Sequence, residues 1–313
     1  MVRLHKCIFI NVNSVVSRHR GIPQPPSRDL LLIYADDILF AANGPRTSTV
    51  NLRLNIYLKL LYDYFCKWDM KLNLDKTNCI IFKGRRGRLF PNARGFIPVL
   101  ELDGVAIRVS HSIKYLGVIF HEDFEFYRHI DYILLKVRRV YFYYCSLLRG
   151  NGGLNRKIRL LFYKQIVRPL MSYAFPIWFG ISSHQMERLR IWERRIVSAC
   201  LNLKPRMHHS EVFRKPSCSI IYEKMCFERI DVFLMRTAIA FLQNSSNLRN
   251  SIVNNCLTNS YDLESVRCHR YLSPTDILTL RDAGLLYRDD RLLFYHRRIN
   301  SRDIDDLVYN TAQ

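Results

Sequence analysis

An apolar run, Leu31-Leu32-Ile33 followed by Ile38-Leu39-Phe40-Ala41-Ala42, is interrupted by two adjacent carboxylates, Asp36 and Asp37. Two β-prone segments around tight-turn residues predict a β-hairpin with both acids at its bend. Beyond the turn residues Asn43-Gly44-Pro45, Leu54, Leu58, Leu61 and Phe65 recur at helical spacing. This predicts a helix, capped by Thr47 or Ser48 and running to about Lys67, whose apolar stripe packs on a sheet. Residues 72–74 and 78–82 read as two short strands joined near Asp75-Lys76-Thr77. Asp103-Gly104, between apolar segments at 99–102 and 105–109, is the strongest short hairpin signal in the chain. Residues 113–120 read as one more strand, with Gly117 marking a bulge or a close backbone approach.

From Tyr127 the period becomes helical. A helix over 184–201 sets Leu189, Trp192, Ile196 and Cys200 on one stripe, with Arg190 and Arg194 on one flank and Arg188 and Arg195 on the other. Glu187 and Glu193 offset part of that charge. Residues 222–243 read as a long helix, while Asn244-Ser245-Ser246-Asn247 and Asn254-Asn255 read as loops. The pattern is therefore α+β over residues 29–122 and mostly α-helical afterwards.

Composition supports packed cores, with 49% hydrophobic and 12% aromatic residues. Charge narrows the choice of partner: 48 Lys and Arg against 27 acids give a formal net charge of +21. Such an excess predicts a polyanionic partner, nucleic acid or an anionic membrane surface. No run reaches the roughly 18 to 20 apolar residues needed to span a bilayer. Cys7-Ile8-Phe9-Ile10 is too short for a secretory core. The expectation is a soluble intracellular protein of nucleus or cytoplasm, neither secreted nor membrane-spanning. The 9 cysteines are scattered, as expected of reduced thiols. Cys200, His208, His209 and Cys218 could offer four zinc ligands, but their spacings fit no standard finger.

Two neighbouring carboxylates repel in apolar surroundings unless a hard cation such as Mg²⁺ neutralises them. A bare Asp-Asp pair is most often an acidic turn, and here the context matters. Tyr34-Ala35-Asp36-Asp37 between apolar strands resembles the third palm motif of reverse transcriptases. Downstream, the segment from Trp68-Asp69-Met70-Lys71-Leu72-Asn73-Leu74-Asp75-Lys76 to Phe82 resembles the fourth palm motif of non-LTR retrotransposon enzymes. Ile113-Lys114-Tyr115-Leu116-Gly117-Val118 is similar to their fifth motif, the primer grip, and the stretch from Tyr163 to Trp178 to the helical segment after the palm. The order of these motifs over residues 21–205 carries the resemblance.

That resemblance implies a partial palm, formed of a β-hairpin, a helix and antiparallel strands, followed by a helical thumb. Its domains would be an N-terminal remnant at 1–28, the partial palm at 29–122, a thumb and connection at 123–205 and a helical region at 206–313. Asp36 and Asp37 would hold Mg²⁺ or Mn²⁺, and Lys76 would lie near the nucleotide triphosphate, although a lone Lys in a turn is equally a solvated one. Tyr34, Gln24, Leu116 and Gly117 would contact substrate. Arg138, Arg139, Arg156, Lys157, Lys164 and Arg168, interleaved with aromatics, would track the backbone of an RNA template and DNA primer.

One absence weighs against activity. Residues 1–28 contain no Asp and no Glu, whereas the family's two-metal centre takes a second carboxylate from a strand preceding the hairpin. That strand and the fingers are expected to be missing. Asp29 is a poor substitute, since seven extended residues separate it from Asp36 by roughly 23 Å. Gly21-Ile22-Pro23-Gln24 resembles the opening of the second palm motif, but Pro25-Pro26 follows, so a functionless Pro-rich loop is the competing account. Tyr287-Arg288-Asp289-Asp290 repeats the Tyr-x-Asp-Asp pattern with a bulky Arg inserted and Arg291 following, and reads as an Arg-compensated surface pair. The expectation is a reverse-transcriptase fragment, inactive as an isolated chain, or else a non-catalytic basic remnant that binds nucleic acid.

Overall fold

The computed structural model describes residues 7–14, 22–25, 29–35, 37–44, 46–70, 72–82, 99–123, 125–148, 154–179, 181–201, 228–246, 287–288 and 291–292. They belong to two compact units, Met1–His129 and Ile130–Gln313.

In the first unit, strands β1 (Cys7–Ser14), β2 (Leu30–Tyr34), β3 (Asp37–Asn43), β4 (Leu72–Ile81) and β7 (Arg108–Val109) form one sheet in the order β2-β3-β1-β4-β7. β1 lies at its centre and pairs antiparallel with both β3 and β4. The sequence reading expected no strand before the hairpin. One is present, but it brings no carboxylate.

β3 is apolar from Ile38 to Ala42 because both its faces are covered there. Ile38, Phe40 and Ala42 point to helix α1 (Thr47–Lys67), meeting Val50, Leu54, Tyr57, Leu58, Leu61 and Phe65 in one core cluster. Leu39 and Ala41 point the other way, onto Tyr115, Leu116 and Phe120. Alternation of this kind hides every residue of a strand buried on both faces. The predicted stripe of α1 is thus core. The helix end at Lys67 agrees with expectation, whereas the N-cap is Arg46, which makes no side-chain capping bond. Gly44 before it is buried, and a Cβ there would lie 2.8 Å from the Val50 Cγ2 atom.

Three strand expectations change. Residues 72–81 form a single strand, β4, with an irregularity between its pairings to Asn11 and Asn13. Asp103-Gly104 does turn a hairpin, but its arms β5 (Glu101–Leu102) and β6 (Val105–Ala106) are short, and the chain then enters β7, parallel to β4. Residues 112–121 are two strands, β8 (Ser112–Tyr115) and β9 (Val118–His121), so Gly117 sits in a turn rather than a bulge. Leu116 and Gly117 have φ of 44° and 84°, both positive as a two-residue hairpin loop of this type requires.

Helix α2 (Tyr127–Leu148) begins in the first unit and continues into the second. The second unit holds α3 (Arg156–Phe162), capped by the Asn155 side chain on the Lys157 N–H. A π-helical turn, Tyr163–Val167, leads to α4 (Arg168–Ser172), and α5 (Phe175–Trp178), α6 (Ser183–Leu201) and α7 (Ile230–Ser246) follow. Pro169 has no N–H to continue the α pattern, which accounts for the widened turn just before it. Leu189, Trp192, Ile196 and Cys200 of α6 are buried as their spacing predicts. α7 overlaps the helix expected over 222–243 but runs on to Ser246, so Asn244, Ser245 and Ser246, expected in a loop, close the helix; residues 222–227 lie outside the described residues. Tyr287–Arg288 (β10) pairs antiparallel with Arg291–Leu292 (β11). Asp289 and Asp290 between them lie outside the described residues. Among the described residues no helix is long and apolar enough to cross a membrane.

Candidate functional site

Register alone assembles a row of polar residues across one end of the sheet. Tyr34 pairs with Asp37, Asp37 with Asn13, and Asn13 with Asn73, spanning β2, β3, β1 and β4. Asp37 and position 13 are thus directly opposed across the β1–β3 pair. Tyr34 pairs with Asp37, which is already the first residue of β3, and this moves Asp37 off the bend where both acids were expected. Ala35 has φ 51°, a conformation in which a β-branched or bulky side chain is strained. Asp36 lies outside the described residues. Tyr34 is 65% exposed.

Lys76 stands beside this row because β4 is irregular. Asn73 pairs with Asn13 and Asn78 with Asn11, so four residues of β4, 74–77, oppose the single residue Val12. The displaced segment is tied by Asn73, whose Oδ1 accepts from the Lys76 N–H at 3.1 Å and whose carbonyl accepts from the Thr77 hydroxyl at 2.8 Å. Lys76 is exposed. Such bulges re-aim side chains near sites.

The β8–β9 turn packs on the same hairpin. Leu116 joins Leu30, Leu32 and Leu39, which holds it in its positive φ. The Tyr115 phenol is pushed above its ordinary value, by burial first and then by the charge of Asp37. The structure therefore packs Leu116 on the hairpin in which Tyr34 and Asp37 pair, with Tyr115 near enough to Asp37 to feel its charge. Gln24 is exposed and donates to the Ile22 carbonyl at 3.2 Å. Its segment is not idle, since Ile22 enters the core and the Tyr57 hydroxyl donates to the Pro23 carbonyl at 2.6 Å.

Among the described residues, the strand paired beside Asp37 holds no carboxylate. The strand beside Asp37 offers Asn11 and Asn13, whose amides carry no charge. The side chain of Asp29 is buried, with its Oδ1 atom 3.3 Å from Arg53 Nη1 on α1.

The basic residues divide. Arg138, Arg139, Arg156 and Lys157 are exposed, and Phe142 and Tyr143 beside them on α2 are 63% and 79% exposed. Arg138 and Arg195 stand over the Trp192 ring at 5.1 and 5.0 Å. Lys164 is half-buried and lines a cleft of about 340 Å³ with Arg168, Glu228 and Arg236. Arg168 was expected among the phosphate contacts, yet it is buried. Its guanidinium lies 3.8 Å from Glu193, donates to the Glu228 carbonyl and stacks at 4.6 Å on Phe233.

Glu193 is what sequence reasoning misread as surface compensation. It is fully buried, accepts from the Tyr163 hydroxyl at 2.6 Å and from the Ile230 N–H at 2.9 Å, and burial pushes its carboxyl up to about 7. Its position, one residue past Trp192 on an otherwise buried stripe, was the available signal. The zinc reading weakens as well. Cys200 is buried, donates to the Arg159 carbonyl at 3.3 Å, and burial pushes its thiol up to about 12, away from the thiolate that binds zinc. His208, His209 and Cys218 lie outside the described residues.

No family model matches the chain. It is 23% identical over 211 residues to a retrovirus-related Pol polyprotein from the type-1 retrotransposable element R1 2 of Nasonia vitripennis, covering 66% of this chain and 50% of that protein. It is 26% identical over 177 residues to an R1 Pol polyprotein of Bradysia coprophila, covering 55% of this chain and 17% of that protein. An RNA-directed DNA polymerase from the mobile element jockey of Drosophila funebris is 24% identical over 170 residues, 54% of this chain and 18% of the relative. The chain thus spans half or less of the length of these relatives.

Proposed function

We propose that this chain, a relative of the Pol proteins of non-LTR retrotransposons, carries part of an RNA-directed DNA polymerase domain and does not polymerise DNA on its own. The observation carrying this reading is the register of Asn13 opposite Asp37. What supports the reading is Asp37 at the start of a hairpin strand, Lys76 in the adjoining bulge and the β8–β9 turn packed on the same hairpin. Phosphoryl transfer by two metals needs the negative charge of a carboxylate from the neighbouring strand, and an amide supplies none. In this reading Asp36 and Asp37 hold a single Mg²⁺ or Mn²⁺, Lys76 faces a triphosphate, and Tyr34, Gln24, Leu116 and Gly117 border primer and nucleotide.

A second reading rests on the exposed face of α2, where Arg138 and Arg139 lie beside exposed Phe142 and Tyr143. Cations with adjacent open aromatic faces suit a nucleic-acid strand, by phosphate contact and base stacking. Binding of an RNA template and DNA primer would then survive without chemistry.

Primer extension with Mg²⁺ or Mn²⁺, set beside an Asp36→Ala, Asp37→Ala double variant, tests the first reading, and gel retardation of a primer-template duplex tests the second. No product from either protein is expected, with a primer-template duplex still retarded in a gel. Template-dependent product from the parent that the double variant loses would overturn the inactive reading.

A further inference from the structure

We propose that His121, Glu122 and Asp123 form a binding site for a single borderline divalent cation of the zinc class. One donor atom from each lies within 4.8 Å of the others. Consecutive residues of an extended strand point to opposite faces, so three in a row converge only where the strand stops. β9 ends at His121 and the chain turns through Glu122 and Asp123, which gathers the three donors on one side.

The Asp123 backbone N–H lies 3.4 Å from His121 Nδ1, a long contact to the nitrogen's lone pair that a bound ion would replace. Its other nitrogen, Nε2, lies 3.3 Å from the Tyr127 hydroxyl, which itself accepts from Arg128 Nε at 3.2 Å. A proton on Nε2, donated to the Tyr127 oxygen, completes that arrangement. Metal-bound histidines typically fix their tautomer through such an outer partner.

With the lone pair at Nδ1, the Asp123 Oδ2 atom 3.3 Å away is a second acceptor facing it. Two acceptors meet at that distance around a cation. Ligands about 2.1 Å from a tetrahedral ion lie roughly 3.4 Å from one another. Glu122 is held from its other side by His111, whose Nδ1 lies 3.0 Å from Oε2. One imidazole with two carboxylates selects zinc-class ions over Mg²⁺, which takes oxygen ligands and keeps its water. His121 is buried while the Asp123 side chain is 42% exposed, so an ion can enter from solvent on the Asp123 side. Bound there, it would pin the end of the β8–β9 hairpin to the start of α2.

The test is Zn²⁺ titration of the purified full chain by calorimetry, in parallel with Asp123→Ala and Glu122→Gln, which leave the buried histidine in place. Co²⁺ absorption spectra of all three proteins separate this site from the 9 cysteines, because only thiolate ligands give sulfur charge-transfer bands. The parent is expected to bind one ion with a cobalt spectrum of nitrogen and oxygen ligands, and each variant to bind it at least tenfold more weakly. Equal stoichiometry and affinity in parent and variants, or cobalt bands of thiolate type alone, would overturn the site and leave a proton between His121 and Asp123.

Discussion

An amide and a carboxylate have nearly the same shape and differ in charge, and the proposed reading of the polar row turns on the amide at position 13. Asn13 pairs with Asp37 on one side and Asn73 on the other, at the centre of the row. Asn13→Asp should therefore create a two-strand carboxylate set, and Mn²⁺ binding measured by electron paramagnetic resonance should tighten at least tenfold over the parent. Unchanged binding would mean that the row does not hold metal. Glu193 gives a second prediction at this scale. Burial lifts its carboxyl from 4.5 to about 7, so between those values the folded state binds more protons than the unfolded chain. Its contribution to stability is present in full below about 4.5, is lost as pH rises towards 7, and is flat above. The melting temperature of the parent should fall more between pH 5 and pH 8 than that of Glu193→Gln, which has no proton to lose. Parallel curves would contradict a buried, titrating Glu193.

At the scale of elements, α1 is the clamp on the sheet that carries the row. Leu58 is 1% exposed and surrounded by the β3 and α1 core. Leu58→Ala should destabilise the protein by roughly 2–5 kcal/mol, through lost burial and the cavity left behind. Urea unfolding measures this, and a loss below about 1 kcal/mol would argue against the packing of α1 on β3. The four-residue excursion of β4 shows a different economy, since one residue, Asn73, ties the displaced loop with both its side chain and its carbonyl. In the second unit, Glu193 joins the π-helical turn to α7 through Tyr163 and the Ile230 N–H. Arg168 belongs to this joint, and its substitution should lower stability more than affinity for nucleic acid.

For the whole molecule, the formal charge of +21 sets the long-range behaviour. If the exposed Arg138, Arg139, Arg156 and Lys157 supply about four phosphate contacts, raising salt from 50 to 200 mM should weaken duplex binding roughly a hundredfold. A filter-binding series over that range checks this. Affinity independent of salt would remove the electrostatic account of these residues.

Local signals settled much of this protein in advance. The apolar run around Asp36-Asp37, the stripe of α1 and the Asp103-Gly104 turn each depend on neighbours in sequence, and each formed as its pattern predicts. The start of β3 at Asp37, the Arg46 cap and the Leu116-Gly117 turn depart from the pattern locally, where geometry rather than polarity chooses. What the chain alone could not reveal is pairing over distance. That β1 would enter the centre of the sheet depends on β3 and β4 both having a free edge for it, a property of no single segment. The fates of Arg168 and Glu193 were hidden for the same reason. A charged residue reads as surface until the residues that bury and satisfy it arrive from elsewhere in the chain, here Tyr163, the Glu228 carbonyl and the Ile230 N–H. Sequence fixes which groups can meet water cheaply, while tertiary structure decides which are compensated well enough to leave it.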